Sequence, residues 1–144
     1  MASFSVSGID ELNAAFGRIG EIPWNVTEEA LNGMADVAAA KVREQGEAMG
    51  VRDPESSVHI LDTIKALKAK PTDSGGRQFI TFRGKRTRHG KPTRNAEIAF
   101  INEFGKRGQP ARPFIGTGMA NNEEAITDPG AKVIGDWIEN EFQR

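Results

Sequence analysis

His59 and His89 are the only two histidines, and thirty residues separate them, so no H-x-H, H-x-x-x-H or H-E-x-x-H spacing is available to hold a metal. With no cysteine, the chain also lacks thiolate ligands and a Cys nucleophile. The adjacent carboxylates Glu28-Glu29 and Glu123-Glu124 would point about 100° apart on a helix, which does not make an acid–base dyad. They read instead as charges placed at positive helix ends. Gly116-Thr117-Gly118 has neither the lysine nor the preceding strand of a phosphate loop, and no Gly-x-Ser-x-Gly elbow occurs. The expectation is a protein that is not an enzyme and uses no metal or cofactor.

What remains is charge. The net charge of −1 hides a partition. Residues 1–50 hold eight acids and three bases, and residues 77–112 hold ten bases and two acids. Residues 113–144 return to six acids and two bases. The basic segment is densest at Arg83, Lys85, Arg86, Arg88, Lys91 and Arg94, six cations in twelve residues with no acid and no apolar side chain. Such a run can grip phosphates, neutralise an acidic partner, or be a solvated hairpin end. It contains no Phe, Tyr or Trp, so base stacking of the single-strand kind is not on offer, and any nucleic-acid contact would be electrostatic and indifferent to sequence. Its Gly84, Gly90 and Pro92 suggest mobility in the free chain.

The elements that must position these residues can be read from periodicity. At 144 residues the chain is one domain, 1–144, with no apolar run near the ~18 residues of a membrane span and no basic-then-apolar leader in Met1–Gly8. Ser3–Val6 alternates weakly, and Ser7 with Asp10 looks like a cap before a short helix marked by Leu12, Ala15, Phe16 and Ile19 and ended by Gly20. A long helix follows, with Asn25 as N-cap, Glu28 at N3, an inner face of Leu31, Met34, Ala35, Ala38, Val42 and Met49, and Gly50 as stop. Residues 51–57 read as a loop, and Val58–Lys70 fits either a helix or a strand. Thr72–Gly76 is a turn. Two strands are expected, around Gln78–Phe82 and Ala96–Asn102, with Arg83–Arg94 as the long hairpin tip between them. Asp128 as N-cap and Pro129 at N1 then open a terminal helix, with Ala120–Ile126 a helical piece before that break. Its Val133, Ile134, Trp137, Ile138 and Phe142 should pack on the long helix or the sheet. The class is α+β: a small antiparallel sheet carrying a basic hairpin, packed by a long central helix and a C-terminal helix.

One block goes further. Ala99-Phe100-Ile101-Asn102-Glu103-Phe104-Gly105, followed by Pro110-Ala111-Arg112-Pro113-Phe114-Ile115, resembles the signature of the phage head–tail joining family, the neck, tail-completion or minor tail components of long-tailed phages and prophages. Val6–Leu12 and Leu61–Ile64 are weaker echoes, and the specific part is residues 99–119. Lys106 after Gly105 and Gly116 after Ile115 depart from the pattern and bear on the subgroup. The resemblance implies a virion protein, assembled in the host cytoplasm, that forms a ring of often six copies. Its partners would be the head-closure protein and the tail-terminator or tail-tube protein, with genomic DNA in the channel. Glu103, Phe104, Gly105, Arg112, Pro113 and Phe114 would be structural signature residues. Physically, a carboxylate closing an apolar strand needs a partner, and Arg112 is the candidate for Glu103, returned by a loop that Pro110 and Pro113 stiffen. Phe114 is expected beneath the final helix. The alternative reading is a small nucleic-acid-binding protein acting through residues 83–94.

Overall fold

A computed structural model describes residues 20–51 and 59–144 together with positions 10, 11, 14 and 17. The strand expected at Ser3–Val6, the Ser7 cap, the marker positions Leu12, Ala15, Phe16 and Ile19, and residues 52–58 lie outside the described residues. Asp10, Glu11, Ala14 and Gly17 are helical, in keeping with the short helix expected there.

Helix α1 (Trp24–Ala48) is the spine, about 37 Å long at 1.5 Å per residue. Its buried stripe is Val26, Ala30, Ala35, Ala38, Val42 and Gly46, small enough for neighbours to approach the backbone. It opens earlier than Asn25. Pro23, at φ −59° and ψ 146°, is the cap, and its carbonyl accepts the N–H groups of Val26 (3.0 Å) and Thr27 (3.2 Å) with no side-chain cap. A proline there already has its φ set for entry into a helix. The end is as expected: Gly50 takes φ +72°, and Val51 N–H reaches back to the Gly46 carbonyl at 2.8 Å, a Schellman-type closure.

The ambiguous stretch after residue 58 is both things in turn: a 3-10 turn (Ile60–Thr63) followed by strand β1 (Ile64–Ala66). β1 pairs antiparallel with β4 (Ile80–Phe82), with Ile64 opposite Phe82, and the shorter hairpin β2 (Lys70–Thr72) and β3 (Gly75–Arg77) lies between them in sequence. Among the described residues the β-structure is three separate two-stranded ladders rather than one sheet, the third being β5 (Lys85–Arg88) with β6 (Lys91–Arg94). The fold is α+β.

Two expected elements are corrected. Residues 96–102 are not a strand but part of helix α2 (Asn95–Phe104). Ala96, Ile98 and Phe100 do alternate, yet the buried positions are Asn95, Ile98, Ala99 and Glu103, a helical stripe. A short apolar run satisfies both periods, and the ends decide it: Gly105 at φ +78° terminates the helix and donates to the Ile101 carbonyl at 2.8 Å. After α3 (Phe114–Ala120), helix α4 runs unbroken over Glu123–Phe142, so Asp128-Pro129 is not its start. Pro129 sits inside it, against Gly33 of α1, where an added Cβ would lie 3.2 Å from the proline ring. Next to it, a Cβ at Gly130 would collide with Met34. The close α1–α4 contact supports the helix through the hydrogen bond that proline cannot make.

The buried cluster is Val42, Val51, Ile60, Leu61, Ile64, Phe82, Ile98, Ala99 and Phe114, gathered between α1, the 3-10 turn, β1–β4, α2 and α3. Phe114 is fully buried here, among these elements rather than beneath the final helix. α4 packs on α1 through Ile126 and Gly130 with Val133, Ile134, Trp137 and Ile138 half-buried, whereas Phe142 is 45% exposed. Its truncation to alanine is therefore expected to cost about 1 kcal/mol, not the ~3–5 of a fully buried phenylalanine. Denaturant unfolding checks this, with Ile126→Ala as the more damaging change.

Candidate interaction surface

The basic segment is a regular hairpin. Four residue pairs face each other, Lys85 with Arg94, Arg86 with Thr93, Thr87 with Pro92 and Arg88 with Lys91. The two-residue tip His89-Gly90 has both residues at positive φ, +52° and +75°. That is the type I′ geometry that matches strand twist. Among the described residues the hairpin packs mainly on α2, so it stands out from the body.

Asn95 holds its base. This residue is 4% exposed. Its amide nitrogen donates to the Arg83 carbonyl at 2.7 Å, its amide oxygen accepts from Arg86 Nε at 2.8 Å, and its backbone N–H donates to the Gly84 carbonyl at 2.9 Å. Arg83 is tied by its own N–H to the Thr63 carbonyl at 2.9 Å, which anchors the hairpin to the 3-10 turn. Sequence reasoning missed Asn95; the one available signal was an amide at the junction between a cationic run and an apolar run.

Pairing puts like charges directly opposite at two of four positions, Lys85 with Arg94 and Arg88 with Lys91. Juxtapositions of this kind destabilise a ladder by about 0.2–1 kcal/mol each. Arg94 is partly relieved by Glu97 at 3.0 Å, and Arg86 is engaged by Asn95. The hairpin therefore presents a field that an acidic or phosphate surface would lower in energy.

The signature block forms a corner. Glu103, at the end of α2 and 9% exposed, does not meet Arg112. Its carboxylate accepts the backbone N–H groups of Ile115 (2.8 Å) and Gly116 (2.9 Å), capping α3 from another helix. Arg112 is exposed and donates from Nη1 to the Gly50 carbonyl at 2.9 Å, closing the end of α1 instead. The expected pairing fails because both partners find backbone groups left over at helix ends. Gly105 is required twice: its φ is positive, and a Cβ would lie 2.8 Å from the Ala111 nitrogen. Pro113 is the residue before α3, and Phe114 enters the core. The glycines dismissed as a phosphate loop have a packing role, since Gly118 lies where a Cβ would come within 3.1 Å of Val42 Cα.

Phe104, from the same block, faces outward at 66% exposure, with Phe100 one turn earlier at 61% and the two ring centres 4.7 Å apart. A shallow apolar depression of about 460 Å³ lies beside them, lined by Arg94, Ala96, Glu97, Phe100 and Ile101. The strand reading had placed Phe100 with Ile98, but a helix separates them by about 200°. Among the described residues, no group of three or more His, Asp or Glu side chains is arranged to hold a metal, and no helix is long and apolar enough to cross a membrane. Comparison with protein-family models, curated proteins and solved structures gives no match to this chain.

Proposed function

We propose that this chain is a structural subunit of a phage neck or tail top, forming a ring that joins the head connector to the tail around the DNA channel. The carrying observation is that the block bearing the resemblance, residues 99–119, folds as one corner with its residues in architectural positions. Glu103 caps α3, Gly105 makes the turn, Phe114 fills the core and Phe100 with Phe104 face outward. Exposed aromatics beside a one-signed hairpin are the chemistry of a protein contact. In the virion, the neighbours would be head-closure and tail-terminator or tail-tube proteins, and the reading implies assembly in the host cytoplasm.

Particles assembled without the chain should accumulate as separate filled heads and tails, and adding the purified chain should join them. Joining that proceeds equally well without it would overturn the proposal. The facing like charges of β5 and β6 favour a second reading, sequence-indifferent binding of nucleic acid through residues 83–94. In that case duplex DNA should retain the chain with log K falling by about 0.9 per neutralised phosphate for each unit of log salt. Lys85→Gln with Lys91→Gln should then flatten that slope.

A further inference from the structure

We infer that the free edge of β5 is a docking edge, and that its occupant is an extended, acid-rich segment of a different protein, added as a third strand. The inference stands apart from the ring reading and concerns only how the hairpin meets a partner.

The hydrogen-bond pattern of the hairpin defines its two edges. The Asn95 N–H donates to the Gly84 carbonyl in the same register that pairs Lys85 with Arg94. The bonded pairs are therefore Gly84 with Asn95, Arg86 with Thr93 and Arg88 with Lys91. At the alternate pairs, Lys85 with Arg94 and Thr87 with Pro92, the backbone N–H and C=O groups point away from the ladder. On β6 that outward row is broken, because Pro92 has no N–H to offer, and α2 packs on this strand. On β5 the row is complete. Lys85 and Thr87 are both exposed, and among the described residues no backbone group outside the hairpin bonds to either. One proline thus closes one edge and leaves the ladder intact. A lone two-stranded hairpin is marginal in water, and a third strand is what such a ladder lacks.

Side chains choose the occupant. β5 carries Lys85, Arg86 and Arg88, and Lys91 stands opposite Arg88 beside the tip. Glu97 lies on α2 and pairs with Arg94, so it relieves the β6 side and not the β5 edge. Among the described residues, no carboxylate pairs with Lys85, Arg88 or Lys91. The β5 edge of a second copy would bring the same cations against these, and like charges side by side destabilise a ladder. No strand among the described residues carries an acid either. The complementary strand therefore comes from another protein, with Asp or Glu alternating with β-branched residues and without proline. Main-chain bonds to Lys85 and Thr87 supply the affinity, and the carboxylates supply the selection.

The probe is a synthetic peptide alternating glutamate with threonine, added to the full chain and followed by titration and amide exchange. It should slow exchange at the Lys85 and Thr87 N–H groups about tenfold or more, leaving Arg94 on the β6 edge unchanged. A fully N-methylated analogue keeps every charge but has no backbone donor, and should bind about tenfold or more weakly. Thr87→Pro copies Pro92 onto the facing strand at an outward-pointing position. It should weaken binding of the parent peptide to the same degree, with every cation retained. If that variant loses its thermal melt, the N-methylated peptide on the wild type decides alone. Equal binding of the two peptides, or binding without protection at Lys85 and Thr87, overturns the inference and leaves a contact made by charge only. A chain that ignores the peptide overturns it too, and retention of that chain on duplex DNA would assign the hairpin to nucleic acid. The joining of heads to tails tests the ring reading separately from all of these.

Discussion

Replacing Phe114 with alanine should remove about 3–5 kcal/mol of folding stability, the largest loss expected from any single truncation in this chain. The side chain is fully buried. Its ring meets Phe82 edge-on, with centres 5.8 Å apart and planes at 70°, an arrangement that adds to simple area burial. The surroundings cannot collapse into the space. Gly46 of α1 lies so close that a Cβ there would stand 3.0 Å from the Phe114 ring and 2.5 Å from Leu61, and Gly118 already presses α3 against the α1 backbone. A cavity is therefore left, lined by Val42, Leu61 and Phe82. For a domain of this size, the midpoint of thermal unfolding should fall on the order of 10 °C. Phe114→Leu, which keeps most of the volume, should lose clearly less. A melting temperature within a degree or so of wild type for the alanine variant would show that the cluster is not the cooperative core.

Glu103→Ala should be the most damaging change at a charged residue, at about 2–4 kcal/mol. Two backbone donors at the start of α3 lose their acceptor at once, and hydrogen bonds to a charged group contribute about 1.5–3 kcal/mol each before non-additivity. Glu103→Gln should fall between, since an amide oxygen can still accept one N–H while its NH₂ faces the other. Arg112→Ala removes one exposed bond to the Gly50 carbonyl and should cost about 1 kcal/mol or less. Denaturant titration of the three variants should rank them in that order. Equal losses for Glu103→Ala and Arg112→Ala would argue for an ion pair between them in place of the separate backbone contacts.

What could be read from sequence depended on whether the deciding partner was local. The body of α1 was legible because its period is written within the helix and its Gly50 stop follows directly after it. The terminal helix was legible as an element and misplaced at its start, because Pro129 inside a helix looks like a beginning until Gly33 is known to receive it. α2 was misread because Ala96–Ile101 is too short and too apolar for its period to speak, and the residues that settle it act across space. Asn95 bonds to the strand end at Arg83, and Glu103 bonds to a helix twelve positions on. The same distance problem misassigned Glu103. A carboxylate invites a search for a cation, and the donors it found are backbone groups, which have no letter in the sequence. The basic run was visible as composition, and its order was not, because pairing in β5–β6 depends on the His89-Gly90 tip and on the Asn95 anchor rather than on any apolar face.

The two glycines at the crossing of α1 and α4 have a mechanical corollary. Gly33 receives the ring of Pro129, and Gly130 receives the thioether of Met34, so each helix carries one notch and one tooth. Sliding α4 by a single turn, about 5.4 Å, would bring Glu29 or Val37 under the proline and Ile126 or Ile134 against Met34. None of these has room. The joint thus works as a key in a lock with one axial setting, and a load along α4 would pass to α1 as rigid displacement rather than be lost as slip between the helices.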